Sequence, residues 1–171
     1  NAGSEEAVNR LRLKKQRDEK PFALMMSDIR EIRKYCEVSE PELQLLQSPQ
    51  APVVRLKKKR ESDAAQEITE SVAPGNPYLG IMLPNTPLHH ILLRELGFSI
   101  VATSGNLTDE PICIHGEEAL DRLHGIADAF LTHNRPITRH VDDSVARIIL
   151  NRELILRRAR GYAPLPIPVN G

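Results

Sequence analysis

The sequence predicts an α/β domain, on three observations. Short apolar runs of strand length, at 22–26, 52–56, 79–83 and 99–104, interleave with segments whose apolar residues recur every three or four positions. Turn signals such as "PGNP" and "TSGN" separate these segments. A chain of 171 residues is long enough for one real core, and no internal repeat divides it.

Residues 5–13 place Ala7, Val8 and Leu11 at helical spacing, with Ser4 as N-cap and Glu5 and Glu6 in the first turn. A basic loop follows, and then the strand 22–26. Residues 27–36 read as a helix capped by Ser27, with Ile29, Ile32, Arg33 and Cys36 on one face. A third helix starts near Ser39 with Pro41 in its first turn. Strand 52–56 runs into a basic stretch from Arg55 to Arg60, which reads as a solvated loop. Residues 64–73 suit a short helix ended by "PGNP". After strand 79–83, "PLHHILLREL" is an amphipathic helix stopped by Gly97. Strand 99–104 leads into "TSGN". Residues 117–124 read as a helix, and 129–133, 144–150 and 153–159 as strands. The proline-rich end reads as an exit, with the domain over 1–164 and a linker over 165–171.

Composition excludes several classes. Hydrophobic residues make up 40% and charged residues 27%, as in a soluble globular domain, and no apolar run suits a membrane span. The 23 basic and 23 acidic residues cancel, so no net charge draws a polyanion, although a local basic patch remains open. Aromatics at 4% leave little for a base-stacking platform. Cys36 and Cys113 lack paired spacing, which points to a reducing, cytoplasmic setting without a paired-cysteine zinc site. His89 and His90 are adjacent and point apart on a helix, so they suit a joint metal site badly. Met25, Met26 and Met82 read as core. Cys36 reads as buried, and Cys113 has no evident activating base.

Four polar clusters follow or flank the strands. The first is Lys14, Lys15, Arg17 and Lys20. The second is Thr103, Ser104 and Asn106. The third is His133, Arg135, Arg139, Asp142, Asp143 and Ser144. The fourth is Arg157, Arg158 and Arg160. Ligands of open α/β sheets sit at strand ends, and basic side chains meeting hydroxyls there suit phosphate groups. A Ser-Gly-Asn turn adds backbone N–H groups and lets the chain approach a bulky anion. Asp142 and Asp143 either hold Mg²⁺ or pair with the arginines. Thr103 and Thr108 either touch a ligand or tie down the turn. No GxxxxGK[ST], GxGxxG or GxSxG motif is present.

The order of these clusters resembles the YrdC-like family, whose members carry a KxR signature and later an SxN signature. Here these are Lys15-Gln16-Arg17 and Ser104-Gly105-Asn106. "APGNPYLGIMLPNTPLHHILL", "TSGNLTDEPI", "ADAFLTHNRPITRHVDDSVAR" and "LRRARGYAPLPI" resemble, more narrowly, the YrdC-like domain of hydrogenase-maturation carbamoyltransferases. The resemblance implies a twisted open mixed sheet flanked by helices, with a concave basic face. It implies a domain that begins inside the fold, missing its first strand, in a parent carrying acylphosphatase and zinc-finger segments upstream.

The resemblance also implies ATP and carbamoyl phosphate as substrates, with Mg²⁺, giving carbamoyl adenylate and pyrophosphate. The carbamoyl group would pass to a HypE-type acceptor protein as a precursor of the cyanide ligands of NiFe hydrogenases. Lys15, Arg17, Arg139 and Arg158 are then the catalytic cations. Lys20, Thr103, Ser104, Asn106, Arg135, Ser144, Arg157 and Arg160 bind the nucleotide, and Asp142 and Asp143 reach the metal. The threonylcarbamoyl-adenylate branch usually carries Arg where this chain has Met82, so an uncharged residue fits a substrate without an amino-acid carboxylate. The alternatives are threonylcarbamoyl-adenylate synthesis for transfer-RNA modification, a non-catalytic RNA-binding module, and a catalytically silent piece.

Overall fold

The computed structural model describes residues 1–59, 68–108 and 110–166. Helix α1 (Glu5–Lys14) starts where Ser4 Oγ accepts the Ala7 N–H at 3.3 Å, and its acidic first turn and basic last turn both suit the helix dipole. Strand β1 (Ala23–Met25) follows. Helix α2 (Ile29–Tyr35) is capped by Asp28, not by Ser27, because the Asp28 carboxylate accepts the Glu31 N–H at 2.9 Å. Its inward face is Ile32, Tyr35 and Cys36, while Arg33 is exposed. Burial pushes the Cys36 thiol up to about 12, which keeps it protonated and inert. Helix α3 (Glu40–Leu46) opens on a capping box in which Glu42 accepts from both the N–H and the hydroxyl of Ser39.

Strands β2 (Val53–Lys57) and β3 (Tyr78–Met82) pair antiparallel. The proposed helix at 64–73 lies partly outside the described residues, and its end is a 3₁₀ turn at Glu70–Val72. Arg60 and most of the linker, 167–171, also lie outside them. Helix α4 (Pro87–Leu96) is capped by Thr86 and closed by Gly97 at φ +69°. Strand β4 (Ile100–Ala102), helix α5 (Gly116–Leu123) and strands β5 (Val145–Ile149) and β6 (Arg152–Arg157) complete the order. The strand expected at 129–133 does not form. That segment is largely exposed coil without a pairing partner among the described residues, so its apolar run has no sheet to pack into.

The six strands make one open sheet in the order β4-β1-β3-β2-β5-β6. It is mixed, as expected: β1 with β3 and β2 with β5 are parallel, and the other neighbours are antiparallel. One face buries Leu24, Val54, Leu56, Leu79, Ile81 and Ala146 against the first three helices, through Val8, Ile32 and Leu46 among others. The opposite face buries Met25, Val53 and Met82 under Leu93 of α4. Further along that second face, Arg55 and Arg147 both lie over the Tyr78 ring, at 5.2 and 5.0 Å from its centroid. The face left open by α4 is therefore basic.

The chain after β6 returns to the sheet. Arg160 donates to the Ala51 carbonyl at 3.1 Å, and Gly161 sits at φ +85° with an added Cβ only 2.4 Å from the Gln50 oxygen. Only glycine satisfies both the conformation and the close approach. Gly161→Ala is expected to destabilise the fold by about 2–4 kcal/mol, read as a lower urea midpoint.

Candidate functional site

The Lys15-Gln16-Arg17 stretch is the C-terminal cap of α1. Lys15 is the C-cap, Gln16 adopts φ +47°, the Gln16 N–H donates to Leu13 O at 3.1 Å, and the Arg17 N–H donates to Arg12 O at 3.0 Å. This is a Schellman turn with glutamine where glycine usually stands. The turn sends Lys15 and Arg17 off the end of the helix from alternate positions.

The Lys15 ammonium, on a residue only 5% exposed, donates to Ser104 O at 2.8 Å, Asn106 O at 3.0 Å and Asn106 Oδ1 at 3.4 Å. The KxR and SxN stretches, 89 residues apart in sequence, thus meet at one cation. The Thr108 hydroxyl returns the contact by donating to the Lys15 carbonyl, so Thr108 ties down the turn. Within the turn, Ser104 Oγ donates to Asn106 Oδ1 at 2.6 Å, and Asn106 Nδ2 donates to Glu110 O at 2.7 Å. Thr103 is exposed beside it. Burial, then the neighbouring Arg17 charge, push the Lys15 ammonium below the usual lysine range.

Arg17 donates to Lys20 O at 3.0 Å and Pro21 O at 2.5 Å and lies 4.7 Å over the Phe22 ring. Its guanidinium is held below the usual range by burial, then by Arg12 and Arg157, with Asp142 acting in the opposite sense. Arg17 therefore shares its field with the pair at the start of β5. That pair is tight: Arg157 meets Asp142 at 2.6 Å, and Arg160 meets Asp143 at 2.9 Å. Ser144 is fully buried; its hydroxyl donates to Arg160 O at 2.9 Å and accepts the Ala159 N–H at 2.7 Å. Ser144 fastens the loop after β6 to the start of β5. His89, one turn before Leu93 on α4, lies in the field of Arg160 and Asp143. Burial, then Arg160, hold its imidazole below the usual range.

Of the residues chosen from sequence, Lys15, Arg17, Ser104, Asn106, Asp142 and Arg157 converge, with Asp143, Ser144 and Arg160 beside them. Lys20 contributes its carbonyl while its side chain is exposed. Arg135 and Arg139 stand on the exposed coil before β5, and Arg158 turns to the Leu165 carbonyl. Asp142 and Asp143 pair with arginines, the second of the two arrangements left open. No cluster of three metal-ligating side chains occurs among the described residues. Arg12 was missed. The signal was Arg12 four residues after Val8, on the buried face of α1.

A lysine-bridged pair of turns stands at the end of an open mixed α/β sheet, with arginines beside it. Residues 1–159 match the Sua5/YciO/YrdC family, described as telomere recombination, and the chain belongs to that family. It is similar to carbamoyltransferase HypF of Synechocystis sp. (strain ATCC 27184 / PCC 6803 / Kazusa), 51% identical over 95% of this chain and 21% of the relative. Carbamoyltransferase HypF of Rhodobacter capsulatus is 44% identical over 98% of this chain and 22% of that protein. The chain thus spans about a fifth of the length of these curated relatives. A crystal structure of full-length HypF in the phosphate- and nucleotide-bound form superposes with a TM-score of 0.92 at 50% identity, covering 98% of this chain and 26% of that one. No helix among the described residues is long and apolar enough to cross a membrane.

Glutamine in the left-handed region costs roughly 1 kcal/mol against glycine. Gln16→Gly is expected to stabilise the chain by about that amount, read as a higher urea midpoint at unchanged slope, while leaving the fold and the lysine bridge in place.

Proposed function

We propose that the chain is the nucleotidyl-transfer module of a carbamoyltransferase. It binds ATP at the paired turns and forms carbamoyl adenylate. The carbamate comes from carbamoyl phosphate, whose hydrolysis to carbamate and phosphate is a separate reaction assigned to no residue of this chain. A carbamate oxygen then attacks the α-phosphorus of ATP; the new O–P bond forms as the bond to the pyrophosphate oxygen breaks, and pyrophosphate leaves with that electron pair. In a longer HypF-type protein the carbamoyl group passes on to a HypE-type acceptor, towards the cyanide ligands of NiFe hydrogenases. The observation that carries this reading is the Lys15 ammonium joining the KxR turn to the SxN turn.

The chemistry asks for charge stabilisation and positioning more than for covalent participation. Arg17 and Arg157, held by backbone carbonyls and by Asp142, present fixed cations where the departing pyrophosphate gathers charge. The Ser104-Gly105-Asn106 backbone, with no side chain at Gly105, offers a close approach to phosphate oxygens. Asp142 and Asp143, each paired to an arginine through one oxygen, are the residues that would hold a phosphate-bound Mg²⁺, which would neutralise charge on the triphosphate.

With an acylphosphatase added to hydrolyse carbamoyl phosphate, pyrophosphate release from ATP is expected, and it is not expected with threonine plus bicarbonate; turnover only with threonine would reject the assignment. Arg17→Ala and Asn106→Ala are each expected to weaken ATP binding by about tenfold or more, measured by calorimetry. Wild-type affinity in both would remove the site. A separate expectation concerns pH. A depressed lysine loses its proton at lower pH in the folded chain than in free lysine, whose value is 10.5. The neutral amine has one donor fewer and no charge, so ATP affinity is expected to fall on the alkaline side before pH 10.5. Lys15→Met should flatten that limb of the titration.

A further inference from the structure

Arg12 belongs to none of the sequence clusters, yet it is the most heavily engaged cation near the site. It is 7% exposed. Its Nε donates to Ser71 O at 2.5 Å, and its Nη2 donates to Val72 O at 3.2 Å. Its Nη1 faces three carbonyls in one loop: Arg17 O at 2.9 Å, Asp18 O at 3.1 Å and Lys20 O at 3.3 Å. The guanidinium also lies 4.8 Å over the Phe22 ring, the same ring that Arg17 covers. All three nitrogens of one planar fork are thus spent on backbone acceptors of two separate segments.

The consequence for the loop is specific. Residues 17–20 form no helix and no strand. The Arg12 guanidinium gathers their carbonyls, while Arg17 binds the last two, Lys20 O and Pro21 O, from the other side. Arg12 also supplies the carbonyl that accepts the Arg17 N–H in the Schellman turn. Backbone and side chain of one residue therefore set both where Arg17 starts and how its loop closes.

We propose that Arg12 is a positioning residue for anion binding, whose guanidinium fixes the 15–20 turn so that Lys15 and Arg17 hold their charges at one place. It acts through these two and touches no ligand. A lysine cannot replace it, because a single ammonium has three donors and no plane to lie over Phe22. This rests on the reading of the paired turns as an ATP site, and the experiment separates the two.

The test uses the full chain with Arg12→Met, Arg12→Lys, Arg17→Ala and the double variant Arg12→Met with Arg17→Ala. Amide hydrogen exchange is read on the loop 16–20 and, as reference, on strands β1 to β3; ATP affinity is read by calorimetry. Faster exchange by about tenfold or more is expected in the loop of Arg12→Met, with the strands unchanged. ATP affinity is expected to fall by about tenfold in Arg12→Met, with only partial recovery in Arg12→Lys. The double variant should lose less affinity than the sum of the two single losses. Loop protection at the wild-type level would overturn the proposal, as would fully additive losses. Exchange raised equally in the strands of both Arg12 variants would also overturn it, by making Arg12 a residue of the whole fold. If wild type itself fails to bind ATP, the site reading falls, and the exchange comparison still decides whether Arg12 orders the loop.

Discussion

One buried ammonium organises this domain. Lys15 ends α1, and its three donors are met by the carbonyls and the amide oxygen of the turn after β4. Burying a charge is costly unless its donors are satisfied, and here the satisfaction comes wholly from neutral oxygens. No carboxylate cancels the charge among these three contacts. The lysine therefore keeps its positive field while being held in one place. Two loops far apart in sequence share that constraint: if either turn moved, the ammonium would lose its acceptors.

The arginines obey a different rule. Arg157 and Arg160 each face an aspartate, and all four side chains are between a third and a half exposed. Pairs so open to water add little to stability. Their geometry is better explained by position. Asp142 holds Arg157 near Arg17, Asp143 holds Arg160 over the Ala51 carbonyl, and buried Ser144 pins the 159–160 backbone between them. The polar residues of "HVDDSVAR" and "RRARG" thus form a bracket that holds Arg157 within the field of Arg17.

Most of the fold was legible in the sequence because its periodicities coincide with burial. Val8 and Leu11, the alternation in β2 and β3, and the Gly97 stop all mark real elements. The false strand at 129–133 shows where that logic fails: "AFLTH" has strand-like composition but finds no partner and stays exposed. The Ser27 cap failed more locally, since Asp28 has the same preference and sits one residue nearer the first helical turn. In the site, the signatures marked Lys15, Arg17, Ser104 and Asn106, while spacing could not show that a lysine side chain joins them. Arg12 was visible only as a charge on an apolar face, which sequence reading treats as noise until the carbonyls around it are seen. Arg135 and Arg139 came from the third polar cluster and from the resemblance; both stand on exposed coil, whose path neither spacing nor charge reveals.

Position 82 shows how the packing of α4 constrains the end of β3. Met82 is buried with Met25 and Val53 under Leu93 of α4. An arginine there could not keep its guanidinium in that apolar cluster without a partner; it would have to reach past α4 or displace it. Methionine instead lets α4 close on the sheet through Leu93. Under the carbamoyl-adenylate function proposed above, the same residue would leave an amino-acid carboxylate without a counter-charge at this end of β3, so the packing of α4 and the choice of acyl group would share one cause.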